Sequence, residues 1–162
     1  QREAAMNADR ILVVDDEEFI RFTLNDYFTS LGYDVVTAND GEDALKKFTP
    51  SEFDCVISDL FMPKIDGIEL LKRIRLQDDD VLFLMITGFP KIDGAVTAMK
   101  EGAYDYITKP FQMDDIQLKV ERALHTKKTE ASLKQMRSFF LSAIVLMPIL
   151  LSIAIVVGVF WK

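Results

Sequence analysis

Cysteine and positive charge are scarce in this sequence, and each shortage excludes a class of protein. The chain has one cysteine, Cys55, so an internal disulfide is excluded. Its place in an apolar run predicts a buried thiol in a reducing cytoplasm. Residues 1–125 contain 25 Asp and Glu against 14 Lys and Arg. Because such an acidic body repels the phosphates of duplex DNA, nucleic acid is not an expected partner.

Charge is absent altogether from residues 139–161. As a helix this run would be roughly 35 Å long, enough to cross a hydrocarbon core of ~30 Å. Only Lys162 follows the run, whereas five basic residues precede it: Arg122, Lys127, Lys128, Lys134 and Arg137. The positive-inside rule therefore predicts a single-pass anchor in the inner cell membrane, with the preceding domain in the cytoplasm. The alternative is a core helix of a truncated soluble domain.

Glycine and proline are absent from residues 112–137, which predicts one long helix leading into the apolar run. Within it, residues 126–138 are basic and are interpreted as a helical tether. Ala154 and Gly158 form a pair of small residues spaced for helix packing, which indicates a possible homodimer. Residues 1–8 are interpreted as an N-terminal extension, with Met6 as a plausible natural start.

Residues 9–125 are predicted to form one domain, because short β-rich runs alternate with amphipathic segments between residues 10 and 125. Strands separated by helices of this length imply a parallel sheet with helices on both faces, the α/β class. Gly32 and Gly102 are expected to end the first and fourth helices. The predicted strands are Ile11–Val14, Tyr33–Ala38, Cys55–Ser58, Leu82–Ile86 and Tyr106–Thr108.

Polar side chains follow four of these strands. Asp15 and Asp16, then Asp59, Thr87 and Lys109, each stand where an apolar run ends. Parallel strands bring their C-terminal ends to one edge of the sheet, where open α/β folds bind ligands. Carboxylates, a hydroxyl and an ammonium in one cleft are the groups required for Mg²⁺-assisted phosphoryl transfer to an aspartate.

The same residues lie in four strings that resemble the receiver domain of two-component response regulators. The strings are ILVVDDE (11–17), DLFMPKIDG (59–67), ITG (86–88) and YITKPF (106–111). The resemblance covers residues 9–125, and residues 87–111 are most similar to receivers of the nitrogen-regulatory, sigma-54-activator type. It implies a flavodoxin-like (βα)5 doubly wound sheet with strand order 2-1-3-4-5, followed here by the predicted transmembrane helix.

The resemblance also implies the chemistry of the site. Asp59 matches the phosphoacceptor. Asp16, Asp59 and the backbone carbonyl of Phe61 match the Mg²⁺ ligands, with Asp15 acting mainly through a bound water. Lys109 and the Thr87 hydroxyl match the groups that contact the phosphoryl oxygens.

The resemblance also implies which two residues transmit the signal. Thr87 and Tyr106 correspond to the switch residues, and Pro110 follows the lysine as in the family, where the bond is often cis. The implied partners are a sensor histidine kinase or a histidine phosphotransfer protein. The chain is not expected to be an enzyme beyond its own Mg²⁺-dependent phosphorylation and slow dephosphorylation.

Three functions remain open at this point. The first is a membrane-anchored receiver that signals through protein contacts. The second is a phosphate sink or relay without its own output, and the third is a docking scaffold that is never phosphorylated. The aspartyl-phosphatase superfamily is excluded because its second aspartate, two positions after the nucleophile, is Phe61 here. His125, at the end of the predicted receiver domain, is expected to lie too far from the cleft to be favoured as a phosphohistidine.

Overall fold

The computed structural model describes residues 8–88 and 92–160, and within them the side chains at 92, 93, 134, 138 and 143–160 are not described. Five strands alternate with five helices. The strands are β1 (Arg10–Val14), β2 (Asp34–Ala38), β3 (Cys55–Asp59), β4 (Leu82–Thr87) and β5 (Asp105–Thr108). The helices are α1 (Glu18–Ser30), α2 (Gly41–Lys47), α3 (Gly67–Arg75), α4 (Ile92–Lys100) and α5 (Met113–Phe160).

The strands form one parallel sheet in the order β2-β1-β3-β4-β5. Each predicted strand is present, with bounds that differ from the prediction by at most one residue at either end. The α/β class and the strand order that the resemblance implied are both confirmed. This order places β1 and β3 side by side in the centre of the sheet, so the residues that follow them are neighbours in space.

Side chains that alternate along the central strands build two separate cores. Leu12 and Val14 of β1 point to the face covered by α2, α3 and α4, where Leu70, Leu71 and Ile74 are buried. Ile11 and Val13 point to the opposite face, where they pack with residues of α1 and α5, among them Leu24, Phe28, Ile116 and Val120. Burial on both faces explains why these strands are apolar throughout rather than alternating.

Local signals set the ends of the helices. Gly32 and Gly102 adopt φ values of +93° and +94° just after α1 and α4, a conformation that glycine tolerates without strain. Asp40 and Asp66 cap α2 and α3, since each side chain accepts a hydrogen bond from the N–H three residues further on, at 2.8 Å in both cases. The predicted helix ends at the two glycines are therefore confirmed.

Gly67 lies where α3 approaches the end of β3 more closely than a side chain permits. A Cβ at this position would be 2.3 Å from the carbonyl oxygen of Asp59 and 2.7 Å from Sδ of Met85. The Gly67 N–H donates to the carbonyl of Leu60 at 2.8 Å. Because the nearest obstacle is a backbone atom, a larger residue at this position would have to displace the end of β3.

The chain divides into two compact units, Gln1–Leu124 and His125–Lys162. In the second unit, α5 is helical to Phe160. No helix among the described residues is long and apolar enough to cross a membrane. Most of the predicted span, including Ala154 and Gly158, falls within residues 143–161, whose side chains lie outside the described part.

We expect Gly67→Ala to lower the free energy of unfolding by about 2 kcal/mol or more, because the new methyl group has no space beside the Asp59 carbonyl. Gly88→Ala is the matched control, since among the described residues a Cβ there would meet Cδ of Lys109 alone, at 3.9 Å. Urea denaturation followed by circular dichroism measures both variants. Equal unfolding midpoints for the two would contradict the close approach described here.

Candidate functional site

The functional side chains predicted from the sequence converge at the C-terminal edge of the sheet. Asp15 directly follows β1, Asp59 and Thr87 are the last residues of β3 and β4, and Lys109 directly follows β5. Asp15, Asp59 and Thr87 are buried, although each carries a polar side chain. Buried polar groups are costly unless they are paired, so their partners show how the site is held together.

The ammonium group of Lys109 is the centre of the site. Its Nζ atom donates to Oδ2 of Asp15 at 2.9 Å, to Oδ2 of Asp59 at 2.9 Å and to Oε1 of Glu17 at 3.1 Å. Three ammonium hydrogens therefore match three carboxylate groups. The Lys109 N–H also donates to the Thr87 carbonyl at 2.7 Å, and the Lys109–Pro110 bond is cis.

Electrostatics hold this lysine in its charged form. Burial by itself lowers the pKa of Lys109, but hydrogen bonds to Asp59 and Asp15 and the charges of both carboxylates outweigh it and hold the pKa well above its ordinary value. Lys109 is consequently a fixed positive charge at neutral pH. A cation fixed in this way suits a group that must contact phosphoryl oxygens.

Asp15 uses both oxygens of its carboxylate. Oδ2 accepts from Lys109, while Oδ1 accepts from the N–H of Glu17 at 2.8 Å. Burial raises the pKa of Asp15, and the hydrogen bonds from Lys109 and Glu17 offset part of that rise. The Arg21 guanidinium donates to the carbonyls of Asp15 at 2.7 Å and Asp16 at 3.0 Å, which fixes the backbone of the loop after β1.

Asp59 is held between Lys109 and the loop that follows β3. Its Oδ1 atom accepts from the N–H of Phe61 at 3.3 Å, so the Phe61 peptide lies beside the predicted phosphoacceptor. The Phe61 side chain is 49% exposed. Ligation of a metal by the Phe61 carbonyl remains a prediction.

The acidic groups at this edge have the composition of a site for a hard divalent cation. Carboxylate oxygens of Asp15, Glu17 and Asp59 all lie within 4.8 Å of one another. Mg²⁺ prefers oxygen ligands of this kind and retains several waters. The donor set therefore fits the predicted Mg²⁺, and the mutual repulsion of the carboxylates favours binding a cation.

Glu17 belongs to this cluster, and Asp16 does not. The sequence predicts Asp16 as a ligand and does not single out Glu17. The carboxylate of Asp16 is exposed, so its direct ligation of Mg²⁺ stays a prediction. Glu17 could have been found from its position in the ILVVDDE string, two residues after Asp15. There the chain leaves β1 and begins α1.

The two predicted switch residues lie on neighbouring strands close to Lys109. Thr87 and Thr108 are paired in register between β4 and β5, and Tyr106 is two residues earlier on β5. The Tyr106 ring packs against the core face covered by α2, α3 and α4, and its hydroxyl oxygen is buried. Burial raises the pKa of the Tyr106 phenol. The aromatic ring is thus turned inward in this structure.

Comparison with known proteins identifies the family. The family model for the response regulator receiver domain matches residues 11–121. Regulatory protein AtoC of Escherichia coli (strain K12) is 35% identical over 128 residues, which cover 79% of this chain and 28% of AtoC. The alkaline phosphatase synthesis transcriptional regulatory protein PhoP of Bacillus subtilis (strain 168) is 39% identical over 129 residues, covering 80% of this chain and 54% of PhoP.

Solved structures agree with these sequence matches. A response regulator receiver domain protein from Clostridium thermocellum superposes with a TM-score of 0.71 at 33% identity, covering 75% of this chain and 98% of that one. NtrX from Brucella abortus superposes with a TM-score of 0.73 at 35% identity, covering 80% of this chain and 29% of NtrX. This chain therefore spans only part of several of its relatives, and it belongs to the response regulator receiver domain family.

Proposed function

We propose that Asp59 accepts a phosphoryl group from a sensor histidine kinase or a histidine phosphotransfer protein, and that the phosphorylated chain signals from the inner membrane through protein contacts. The observation that carries this proposal is the position of Lys109, whose ammonium lies 2.9 Å from both Asp59 and Asp15. The Lys109 ammonium contacts two buried carboxylates. When Asp59 takes up a phosphoryl group, negative charge moves onto the phosphoryl oxygens, and this ammonium is close enough to contact them.

The transfer itself requires only a nucleophile and correct placement. A carboxylate oxygen of Asp59 forms a bond to phosphorus as the bond from phosphorus to the donor nitrogen breaks. The electron pair of that bond stays with the departing imidazole, and Asp59 becomes an acyl phosphate. Lys109 and the Thr87 hydroxyl contact the oxygens of the transferred group, so catalysis consists of positioning and charge neutralisation.

The proposed cofactor is Mg²⁺, which Asp15, Glu17 and Asp59 fit as oxygen ligands, with Asp16 and the Phe61 carbonyl as the further ligands proposed from the family. When bound, this cation neutralises part of the negative charge that accumulates on the phosphoryl oxygens. The chain's own contribution is to hold the carboxylates in place. Lys109 and the Glu17 N–H do so for Asp15, and Lys109 and the Phe61 N–H do so for Asp59.

Output is proposed to pass from Thr87 to the surface formed by α4, β5 and the first turns of α5. Movement of Thr87 toward the phosphoryl group changes the space available to the Tyr106 ring, which packs against the core beside α4. The negative charge of the phosphoryl group would thereby shift the equilibrium between two conformations of this surface. This mechanism makes the chain a switch for a protein partner, without enzymatic action on other molecules.

The membrane location is proposed from the sequence of the tail. Residues 139–161 contain no charge, and basic residues concentrate before them. A single-pass helix with the receiver in the cytoplasm satisfies both features. Dimerisation through Ala154 and Gly158 would bring two receivers together.

We expect phosphorylation of the intact chain by phosphoramidate, whose phosphorus–nitrogen bond stands in for that of phosphohistidine. Electrophoresis on a phosphate-binding gel should show one retarded band that requires Mg²⁺ and disappears in Asp59→Asn. Asp26→Asn, which removes an exposed carboxylate on α1, should retain the band. A band that persists in Asp59→Asn would refute the assignment, and no band in the folded wild type would favour the docking scaffold.

Phe61→Asn is expected to shorten the life of the phosphorylated state. The Phe61 N–H donates to Asp59, so a half-exposed apolar side chain on this residue should limit the approach of water, whereas an amide at this position can hydrogen-bond an attacking water molecule. The rate at which the retarded band disappears after removal of the donor gives the half-life of the phosphorylated chain. Leu76→Asn, the same kind of change at an exposed apolar side chain, should leave it unchanged. Slower loss in Phe61→Asn would contradict this account, and a short wild-type half-life would favour a phosphate sink.

The tail is expected to hold the full chain in the membrane fraction of expressing cells after washing with alkaline carbonate. A chain that ends at Ser138 should move to the supernatant and still be phosphorylated on Asp59, since the matched receiver region ends at residue 121. Release of the full-length chain as a folded protein by the carbonate wash would contradict the anchor and support a core helix of a larger soluble protein.

A further inference from the structure

Glu17 makes a contact that its position in the fold does not require. It is the N-cap residue of α1, but its side chain forms no capping hydrogen bond. Its Oε1 atom instead accepts from Nζ of Lys109 at 3.1 Å. The residue therefore directs its carboxylate into the site and away from the helix that it precedes.

Exposure separates Glu17 from the other two carboxylates around Lys109. The side chain of Glu17 is 62% exposed, compared with 3% for Asp15 and 8% for Asp59. Glu17 consequently lies on the solvent side of these carboxylates, where its charge acts on an anion that approaches from solution. Apart from Asp15, the charged groups nearest in sequence are the exposed carboxylates of Asp16 and Glu18 and the guanidinium of Arg21, which contacts backbone carbonyls.

Three carboxylates share one ammonium at this position, so the cleft carries an excess of negative charge. Asp59 is the proposed nucleophile and Asp15 is buried beside it, whereas Glu17 adds its charge at the exposed side of the site. Its charge opposes the entry of an anionic donor and competes with the phosphoryl oxygens for Lys109. The strength of the opposition depends on the charge of the donor, because the Coulomb energy is proportional to it.

We propose that Glu17 determines which phosphodonors Asp59 accepts, by disfavouring small dianionic donors relative to donors that carry less negative charge. This inference rests on the proposed phosphorylation of Asp59. Acetyl phosphate is a dianion at neutral pH, and phosphoramidate carries one net negative charge. Asp59 attacks phosphorus in both cases; acetate leaves with the electron pair of the broken P–O bond, and ammonia with that of the broken P–N bond.

The test compares initial rates for the two donors in wild type, Glu17→Gln and the neighbouring control Glu18→Gln, at saturating Mg²⁺. At low ionic strength, Glu17→Gln should raise the rate about fivefold with acetyl phosphate and about twofold with phosphoramidate. Both gains should disappear at ~1 M salt, where the Debye length is about 3 Å. Glu18→Gln should have the wild-type rates with both donors at each salt concentration. Glu17→Asp should retain part of the discrimination between acetyl phosphate and phosphoramidate.

Mg²⁺ titration by calorimetry gives a readout that does not depend on phosphorylation. Loss of the Glu17 charge should weaken Mg²⁺ binding, and Glu18→Gln should not. If both donors phosphorylate the wild type, and the ratio of the two rates is the same in Glu17→Gln, this inference is wrong while the proposed function stands. A folded wild type phosphorylated by neither donor would overturn the proposed function, and this inference with it.

Discussion

The ammonium of Lys109 is the interaction on which the rest of the site depends. It lies 2.9 Å from two carboxylates that burial would otherwise make costly, and 3.1 Å from a third at the surface. Without that cation, Asp15 and Asp59 would face each other as like charges in a poorly solvated cleft. With the Lys109 ammonium in place, the cleft keeps an excess of negative charge that suits a divalent cation.

The parallel sheet makes this arrangement possible because it brings residues distant in sequence to one edge. Asp15 and Lys109 are 94 positions apart, yet their side chains are hydrogen-bonded. Two cores, one on each face of the sheet, hold the strands in place. Gly67 adds a local constraint, since only a residue without a side chain fits this close to the Asp59 carbonyl. The inward ring of Tyr106 packs against the core beside α4, which is where the proposed switch would act.

Much of this organisation could be predicted from the sequence, because it depends on local patterns. Apolar runs located the five strands, Gly32 and Gly102 located two helix ends, and the residue types at the strand ends located the cleft. The strand order came from the resemblance, since local patterns do not specify which strands are neighbours. Glu17 was passed over because its role depends on a side chain that bends back from the start of α1 to Lys109, and no spacing rule reports such a direction. The predicted membrane span rests on the sequence alone.

The central claim is that Asp59, among several acidic residues in the same cleft, is the one that is phosphorylated. Its most direct test is reduction of the acetyl phosphate-treated, Mg²⁺-loaded chain with borohydride, which converts an acyl phosphate to an alcohol, followed by peptide mass spectrometry. The account predicts one reduced residue, at position 59. Reduction at Asp15, Asp16 or Glu17 instead, or at none of them in a folded and Mg²⁺-bound chain, would contradict it.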